Sequence, residues 1–139
     1  PQTFVACCQA GMLSVGGRCR TFDESASGYS RGEGCGAQTY QLLSDKPAFA
    51  ELRGSALNQD GRSSNLTSPN GPSQTAVVLA ALSEAGIAPH MLDCLETHGT
   101  GTALGDPIEI GALQAALGGP ARELPLAIGA VKTNIGHLE

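Results

Sequence analysis

Apolar positions in the second half of the chain form blocks that alternate between helix-like and strand-like spacing. Apolar residues at helical spacing predict a helix over Gln74–Ala85. An unbroken apolar run predicts a buried, central strand at Met91–Thr97, and Leu124–Val131 is predicted to be a further buried strand. Between these runs, Asp106–Pro107 is a helix start, followed by apolar residues on one helical face. Strands that alternate with helices in this way predict parallel βαβ units and an α/β fold.

The first half carries a weaker pattern. Pro1–Ser14 is apolar and fits helical turns or a loop on the core, and Gly16–Tyr29 is a polar loop. β-Favouring residues predict strands at Ala37–Leu43 and Ala48–Asn58. The short link Ser44–Pro47 makes an antiparallel hairpin the simplest pairing of the two.

Glu96–Glu109, which is read as ETHGTGTALGDPIE, joins the end of a predicted strand to the start of a predicted helix and is rich in polar and small residues. Its small residues would let a ligand approach closely, and His98 and the Thr hydroxyls could hydrogen-bond that ligand. The same stretch is also explained as a polar strand-to-helix loop with a good cap. In that interpretation Asp106 caps the helix, and Glu109 completes a capping-box spacing.

Composition excludes several classes of function. The chain has 139 residues, a formal charge of −5 and only 15% charged residues, without a basic run. This balance argues against a nucleic acid partner. No apolar run reaches the length of a membrane span, and no signal peptide is visible.

The five cysteines form no CxxC pair and are odd in number. This pattern predicts reduced thiols and a cytoplasmic protein rather than a disulfide framework or a zinc site. The sequence starts at Pro1 without Met and stops at Glu139 directly after a motif. We therefore expect it to be an internal piece of a larger protein.

A second polar strand exit follows the last predicted strand. Lys132, Asn134 and His137 lie in KTNIGHLE, after a strand expected to neighbour the one that precedes His98. Ligands gather at the carboxyl ends of parallel strands, so both histidines and the lysine could converge on one pocket. Neutral imidazoles there could donate hydrogen bonds to a developing oxyanion.

Metal binding is a competing use of the two histidines with Asp106 and Glu109. It is disfavoured because no HExxH-like local pair exists. His90 follows a proline in a turn and is expected on the surface. Glu109 could serve both the helix cap and a pairing with Lys132.

THGTGTALGDPIE and KTNIGHLE together resemble the signature of β-ketoacyl synthase domains, most closely those of modular type I polyketide synthases. Further motifs agree in order over essentially the whole chain: AGMLS, GRCRTFD, GYSRGEGCG, RGSALNQDGRS and TSPNGPSQ. The resemblance implies the thiolase-like fold, with αβαβα layers and a homodimeric assembly. Residues 1–139 would span the end of its N-terminal half and the start of its C-terminal half.

The implied activity is decarboxylative condensation. An acyl group passes to a Cys from the phosphopantetheine of an acyl carrier protein, and a malonyl-type extender then loses CO₂ and attacks the thioester. No cofactor or metal is implied for the domain itself. The implied partners are the acyl carrier protein and acyltransferase domains of the same synthase.

The family's functional residues map onto this sequence one by one. His98, His137 and Lys132 match the catalytic histidines and lysine, and Lys132 is expected to organise the His98 side through Glu109. Asp106 is expected to be mainly structural. The match also implies pantetheine-binding roles, assigned to Thr100, Thr102 and Asn134.

The family's nucleophile lies in an Ala-Cys-Ser-Ser-type elbow upstream of AGMLS, and no cysteine here matches it. Cys7 and Cys8 align with non-catalytic positions. Cys19 and Cys35 are expected to be structural, and Cys94 is expected in the core. The glycine-rich segment that closes the family's site near its C-terminus is also absent. We expect this chain alone to be inactive, because covalent catalysis needs the cysteine thiolate.

Smaller departures lie away from the proposed catalytic side chains. Ser44–Arg53 is shorter than usual, Thr97 replaces the usual Ala before the histidine, and Ser63–Leu66 replaces a Gly-containing SNGL. The alternatives left open are a fatty-acid-type ketosynthase, a non-elongating or chain-length-factor-like relative, and a coenzyme A-dependent thiolase. The KTNIGH and NQDGRS motifs argue against the thiolase.

Overall fold

A computed structural model of the chain describes residues 2–42, 48–63, 68–119 and 124–139. Four helices and two strands are present in these ranges, together with a 3₁₀ turn at Pro89–Met91. In chain order the elements are α1 (Gln2–Gln9), α2 (Gly71–Ala85), β1 (Cys94–Glu96), α3 (Gly105–Leu117), β2 (Ala127–Gly129) and α4 (Lys132–Ile135).

Helix α2 confirms the helix predicted from apolar spacing and begins three residues before the predicted Gln74. The Asn70 side chain accepts a hydrogen bond from the Ser73 amide at 3.2 Å, which caps the first turn. Gly86 ends the helix with a φ of 66°, a left-handed conformation that glycine adopts without steric cost.

Helices α2 and α3 pack against each other and form the core. The buried apolar side chains are Leu82 from α2 and Leu113, Ala116 and Leu117 from α3. The Thr75 hydroxyl also donates to the Ala112 carbonyl at 3.2 Å, which joins the two helices by a hydrogen bond. This packed pair supports β1 and fixes the helix that begins just after the His98 loop.

The two strands pair in parallel, as the βαβ pattern predicts. Cys94, Leu95 and Glu96 align with Ala127, Ile128 and Gly129. The predicted burial of the two strands is wrong for the described chain, and both are shorter than the predicted 91–97 and 124–131: each has three residues, and Cys94 and Glu96 are exposed. Cys94 is therefore not a core residue. A two-stranded sheet leaves outer faces without a cover, so an apolar sequence alone does not bury them.

The hairpin predicted in the first half is wrong. Residues 37–42 and 48–58 contain no strand, and the predicted link at 44–47 lies outside the described residues. β-Favouring side chains form a strand only where the backbone groups meet a partner, and these segments run against helices or solvent instead. Gly54 is in close contact with α2, because a Cβ there would lie 2.7 Å from the Ala81 carbonyl oxygen.

Helix α1 realises the helical option for the first segment. Beyond it, the polar loop folds back, and Tyr29 forms an isolated parallel bridge with Leu13. Arg31 forms a second such bridge with His137, so the first half of the chain touches the last polar motif. Across the ranges described, we find no helix with the length and apolar character needed to cross a bilayer.

Candidate active site

His98 lies just after β1, in a loop whose backbone requires two glycines. Gly99 and Gly101 have φ values of 47° and 78°, in the left-handed region. A Cβ on Gly99 would lie 2.6 Å from Thr21 Cγ2 and 2.7 Å from Ala130 Cβ. The loop therefore fits between neighbouring segments only because glycine has no Cβ atom.

Glu109, on the second turn of α3, holds the backbone of this loop. Its two carboxylate oxygens accept the amides of His98 at 2.7 Å and Gly99 at 2.9 Å. The predicted capping-box role of Glu109 and its pairing with Lys132 are both wrong: no ion pair joins these two side chains within the described ranges. The two loop amides take both oxygens, so Glu109 positions His98 through the main chain.

Asp106 has a similar task. It is the second residue of α3 and only 4% exposed, and the helix has no side-chain cap. Its carboxylate accepts the amides of Gly101 at 3.1 Å, Thr102 at 3.3 Å and Phe22 at 2.9 Å. The predicted capping role is therefore wrong, because the donors come from two loops rather than from the helix. The positive end of the helix dipole favours the buried charge at this position.

The residues predicted to bind pantetheine differ in exposure. Thr100 is buried, with its hydroxyl 3.4 Å from that of Thr102. Thr102 also accepts the Gly105 amide at 3.1 Å and lines a pocket of about 400 Å³ next to Phe22. Asn134 is exposed on α4. No ligand contact tests these assignments, and they stay predictions.

The structure brings the two histidines together. Their ring centroids are 5.5 Å apart and the rings meet edge to face. His137 follows α4 after Gly136, where a Cβ would lie 3.0 Å from the Ser30 carbonyl oxygen. Lys132 begins α4 and is half-buried, and its charge acts on His137. The convergence expected at the strand ends is thus present.

His137 is held as a neutral imidazole. Burial, then the neighbouring His98 and Lys132, lower the pKa of His137, while Glu139 opposes the shift. The Glu139 amide donates to His137 Nδ1 at 3.0 Å. An amide N–H can only donate, so the neutral ring carries its proton on Nε2. The site therefore presents an N–H donor from His137.

Several residues around the site were not singled out from the sequence. The ring of Tyr29 lies 5.2 Å from that of His137, and Arg31 forms an ion pair with Glu139. The sequence feature that could have indicated Tyr29 and Arg31 is the motif GYSRGEGCG. This motif contributed to the family resemblance, but it indicated no role for either residue. Glu96 was missed as well, and its carboxylate accepts the Val131 amide just before α4.

Thr97, which departs from the family pattern, extends the pairing of the two strands. Its amide and its hydroxyl both reach the Gly129 carbonyl, at 2.9 and 2.8 Å, and the residue is buried. The hydroxyl that Thr has and Ala lacks therefore adds a second bond between the residue that precedes His98 and the end of β2. Ser64–Leu66, in the other departure, lies outside the described residues.

The remaining candidates have structural or surface positions. Cys19 is buried and its Sγ accepts the Ser30 amide at 3.2 Å, as a structural residue would. Cys35, expected to be structural, is exposed. His90 is exposed in the 3₁₀ turn, as predicted. In the described part of the chain, no three His, Cys, Asp or Glu side chains are grouped to hold a metal.

Glu109 and Lys132 should act independently on stability. We expect Glu109→Gln to lower the free energy of unfolding by about 1–3 kcal/mol, because one loop amide would then face an NH₂ group. The loss should be the same in a Lys132→Met background, as urea unfolding of the two single variants and the double variant would show. A coupling energy above about 1 kcal/mol would mean that the two side chains interact directly.

The lowered pKa of His137 makes the chain less stable in mild acid. The unfolded imidazole takes up its proton at about 6.5, whereas the folded one does so only at lower pH. Stability is therefore retained above pH 6.5 and lost as the pH falls through the folded value. NMR titration should place the His137 pKa below 6.5, and His137→Asn should flatten the pH dependence. A pKa at or above 6.5 would contradict this account.

Comparison with known proteins agrees with this arrangement. A sequence profile for "Beta-ketoacyl synthase, C-terminal domain" matches residues 49–139, and one for the N-terminal domain of the same family matches residues 1–45. Among solved structures, the ketosynthase from module 6 of the bacillaene synthase of Bacillus subtilis 168 superposes with a TM-score of 0.93 at 38% identity. The match covers 99% of this chain and 26% of the bacillaene ketosynthase chain.

Curated relatives are polyketide synthases. A phenolphthiocerol/phthiocerol polyketide synthase polypeptide of Mycobacterium tuberculosis is 48% identical over the whole chain, as is Polyketide synthase GfsA of Streptomyces halstedii. The chain spans 7% and 2% of the length of these two proteins.

The superposition confirms the thiolase-like fold class for this part of the domain. The two polar strand exits, with their paired histidines, lie within the segment matched to the family's C-terminal domain. Tyr29 and Arg31, which contact the second exit, lie within the segment matched to the N-terminal domain. The chain belongs to the β-ketoacyl synthase family.

Proposed function

We propose that this chain forms the two-histidine half of the active site of a polyketide ketosynthase that extends an acyl chain by decarboxylative condensation. The observation that carries the proposal is the edge-to-face contact of His98 and His137, with centroids 5.5 Å apart, in the segments that follow two parallel strands. The polyketide synthase relatives favour this activity over the fatty-acid-type and non-elongating alternatives.

The reaction joins two thioesters. A cysteine thiolate first takes the growing acyl group, and the carrier thiol leaves. The malonyl-type extender then loses its carboxylate as CO₂, and the electron pair of that C–C bond becomes an enolate. The enolate carbon attacks the acyl thioester, the new C–C bond forms, and the cysteine leaves as thiolate. The product is a β-ketoacyl thioester on the carrier protein.

The two histidines would stabilise the negatively charged oxygen of this enolate by donating hydrogen bonds to it. Decarboxylation places negative charge on the thioester oxygen, and donors that already point there stabilise the charge without reorganisation. His137 fits the task because its lowered pKa keeps it neutral and its occupied Nδ1 leaves the proton on Nε2. His98 would provide the second donor, with its loop fixed by Glu109.

Lys132 would act on the site by its charge. It is half-buried, and its positive charge disfavours protonation of His137. The neutral ring accepts the Glu139 amide on Nδ1 and keeps its proton on Nε2 for the oxyanion, so the lysine preserves the form of His137 that the site uses. This role replaces the predicted link through Glu109.

Substrate delivery follows from the same proposal. The acyl and extender groups would arrive on the phosphopantetheine of an acyl carrier protein, loaded by an acyltransferase domain of the same synthase. Thr102 and Thr100 would line the path of that arm, with Asn134 at its entrance. The acyl-carrying cysteine would come from a segment of the synthase outside this sequence, and the assembly would be a cytoplasmic homodimer.

His137→Ala separates the two half-reactions. In the synthase that carries this sequence, we expect acylation of the cysteine to remain measurable and condensation to fall by at least about 100-fold. Radiolabelled acyl transfer and mass spectrometry of the carrier-bound product would measure the two steps. His90→Ala, an exposed histidine in the 3₁₀ turn, is the matched control. Condensation at nearly the wild-type rate in His137→Ala would refute the proposed role.

A further inference from the structure

The turn that carries His137 is paired along its main chain with a segment from the first half of the sequence. The His137 amide donates to the Ser30 carbonyl at 2.7 Å, and the Gly32 amide donates to the His137 carbonyl at 2.8 Å. These two bonds form the isolated bridge between Arg31 and His137. Residues on either side of this bridge are consequently held next to the imidazole.

The side chains beside the bridge converge on one carboxylate. Glu139 accepts the Tyr29 hydroxyl on Oε1 at 3.1 Å, and its Oε2 is paired with the Arg31 guanidinium. The ring of Tyr29 also lies against His137, tilted by 52°. Tyr29 is buried, whereas Arg31 and Glu139 remain about one-third exposed, at 31% and 33%.

The same glutamate reaches the imidazole through its backbone. The Glu139 amide donates to His137 Nδ1 at 3.0 Å, and this bond selects the tautomer that carries a proton on Nε2. Tyr29 and Arg31 hold the Glu139 side chain, so they also restrict the position of that amide. A ring of contacts therefore runs from His137 through Glu139 and Tyr29 back to His137.

We propose that Tyr29, Arg31 and Glu139 are positioning residues for His137: they hold the ring edge-on to His98 and fix its proton on Nε2, ready to donate to the developing oxyanion. The proposal deepens the proposed condensation activity and rests on it. None of the three residues needs to touch the substrate. Their effect reaches the reaction through the orientation and the tautomer of one imidazole.

The pKa of His137 is a measurement that separates this positioning role from a purely structural one, because the pKa responds to nearby charge. The groups that face the ring are His98, Lys132 and Tyr29, with the Glu139 carboxylate as the one that favours protonation. Removing that charge in Glu139→Gln should lower the pKa of His137 further. Removing Arg31 leaves the carboxylate without its counter-ion, so Arg31→Ala should raise the pKa.

The kinetic test uses the synthase that carries this sequence. We expect Arg31→Ala and Glu139→Ala to slow decarboxylation of the malonyl thioester about tenfold, the size typical when a partner that orients a functional histidine is lost. Acylation of the cysteine should stay within about twofold, because the cysteine thiolate is the reacting group in that step and no malonyl enolate forms. Tyr29→Phe keeps the ring contact and loses the hydroxyl, so its loss should be smaller than that of Tyr29→Ala.

Two exposed residues outside the ring of contacts serve as matched controls. Arg18→Ala and Glu51→Gln remove the same types of charge and should change neither rate. The reciprocal swap Arg31→Glu with Glu139→Arg restores an ion pair and keeps the backbone amide, so it should recover part of the lost decarboxylation rate. Equal loss of acylation and decarboxylation, or no loss of either, would overturn the proposal.

The NMR test requires no catalysis and separates the two proposals. His137 should titrate lowest in Glu139→Gln, higher in the wild type and highest in Arg31→Ala, and long-range ¹H–¹⁵N spectra should place the wild-type proton on Nε2. This order in a protein that does not condense would retain the positioning role and refute the proposed function. Identical titration in all three proteins, or a proton on Nδ1, would refute the positioning role itself.

Discussion

Two carboxylates at the start of α3 determine the shape of the loop that carries His98. Asp106 and Glu109 together accept amides from Gly101, Thr102, Phe22, His98 and Gly99. Four of these amides belong to the glycine-rich loop and the fifth is that of Phe22, in a neighbouring loop. A buried amide without a partner, such as that of Gly101, would cost about 1–3 kcal/mol, so this irregular loop depends on acceptors that are already fixed. The packed α2–α3 pair fixes them.

The second half of the site is built in a different way. His137 is held by main-chain pairing with residues 30–32 and by side chains from the first half of the chain. The strand pairing of β1 and β2, lengthened by Thr97, relates the two histidine loops to each other. Two further hydrogen bonds support this arrangement: the Val131 amide donates to the Glu96 carboxylate, and the Gly28 amide donates to the Gly101 carbonyl. A small shift of either strand would therefore change the distance between the rings, and a misplacement of about 1 Å can cost a hundredfold in rate.

The elements that local sequence determines were predictable. Helices α2 and α3 follow from apolar spacing with glycine and proline at their ends, and the parallel pairing follows from the βαβ order. The convergence of His98 and His137 followed from the rule that ligands gather at strand ends. The prediction of a hairpin over 37–58 was wrong for the described residues, because residues of high strand propensity form a strand only where a partner strand is present.

The partners of charged side chains were the least predictable part of the site. Asp106 and Glu109 have the spacing of a helix cap. Their carboxylate oxygens nevertheless accept hydrogen bonds from loop amides, which only tertiary packing brings near them. The ring of contacts from Tyr29 and Arg31 to Glu139 joins residues about 110 positions apart, which no local pattern encodes. The predicted burial of Cys94 was wrong for a similar reason, since the burial of a strand residue depends on the elements that cover the strand.

The central claim is that His98 and His137 act as one unit on a single oxyanion. The most direct measurement is the rate of CO₂ release from the malonyl thioester in His98→Ala, His137→Ala and the double variant of the synthase. Residues that act together on one transition-state charge are strongly non-additive, so the double variant should be no slower than the slower single variant by more than about threefold. Losses that multiply in the double variant would show that the two histidines serve separate steps and would contradict the account.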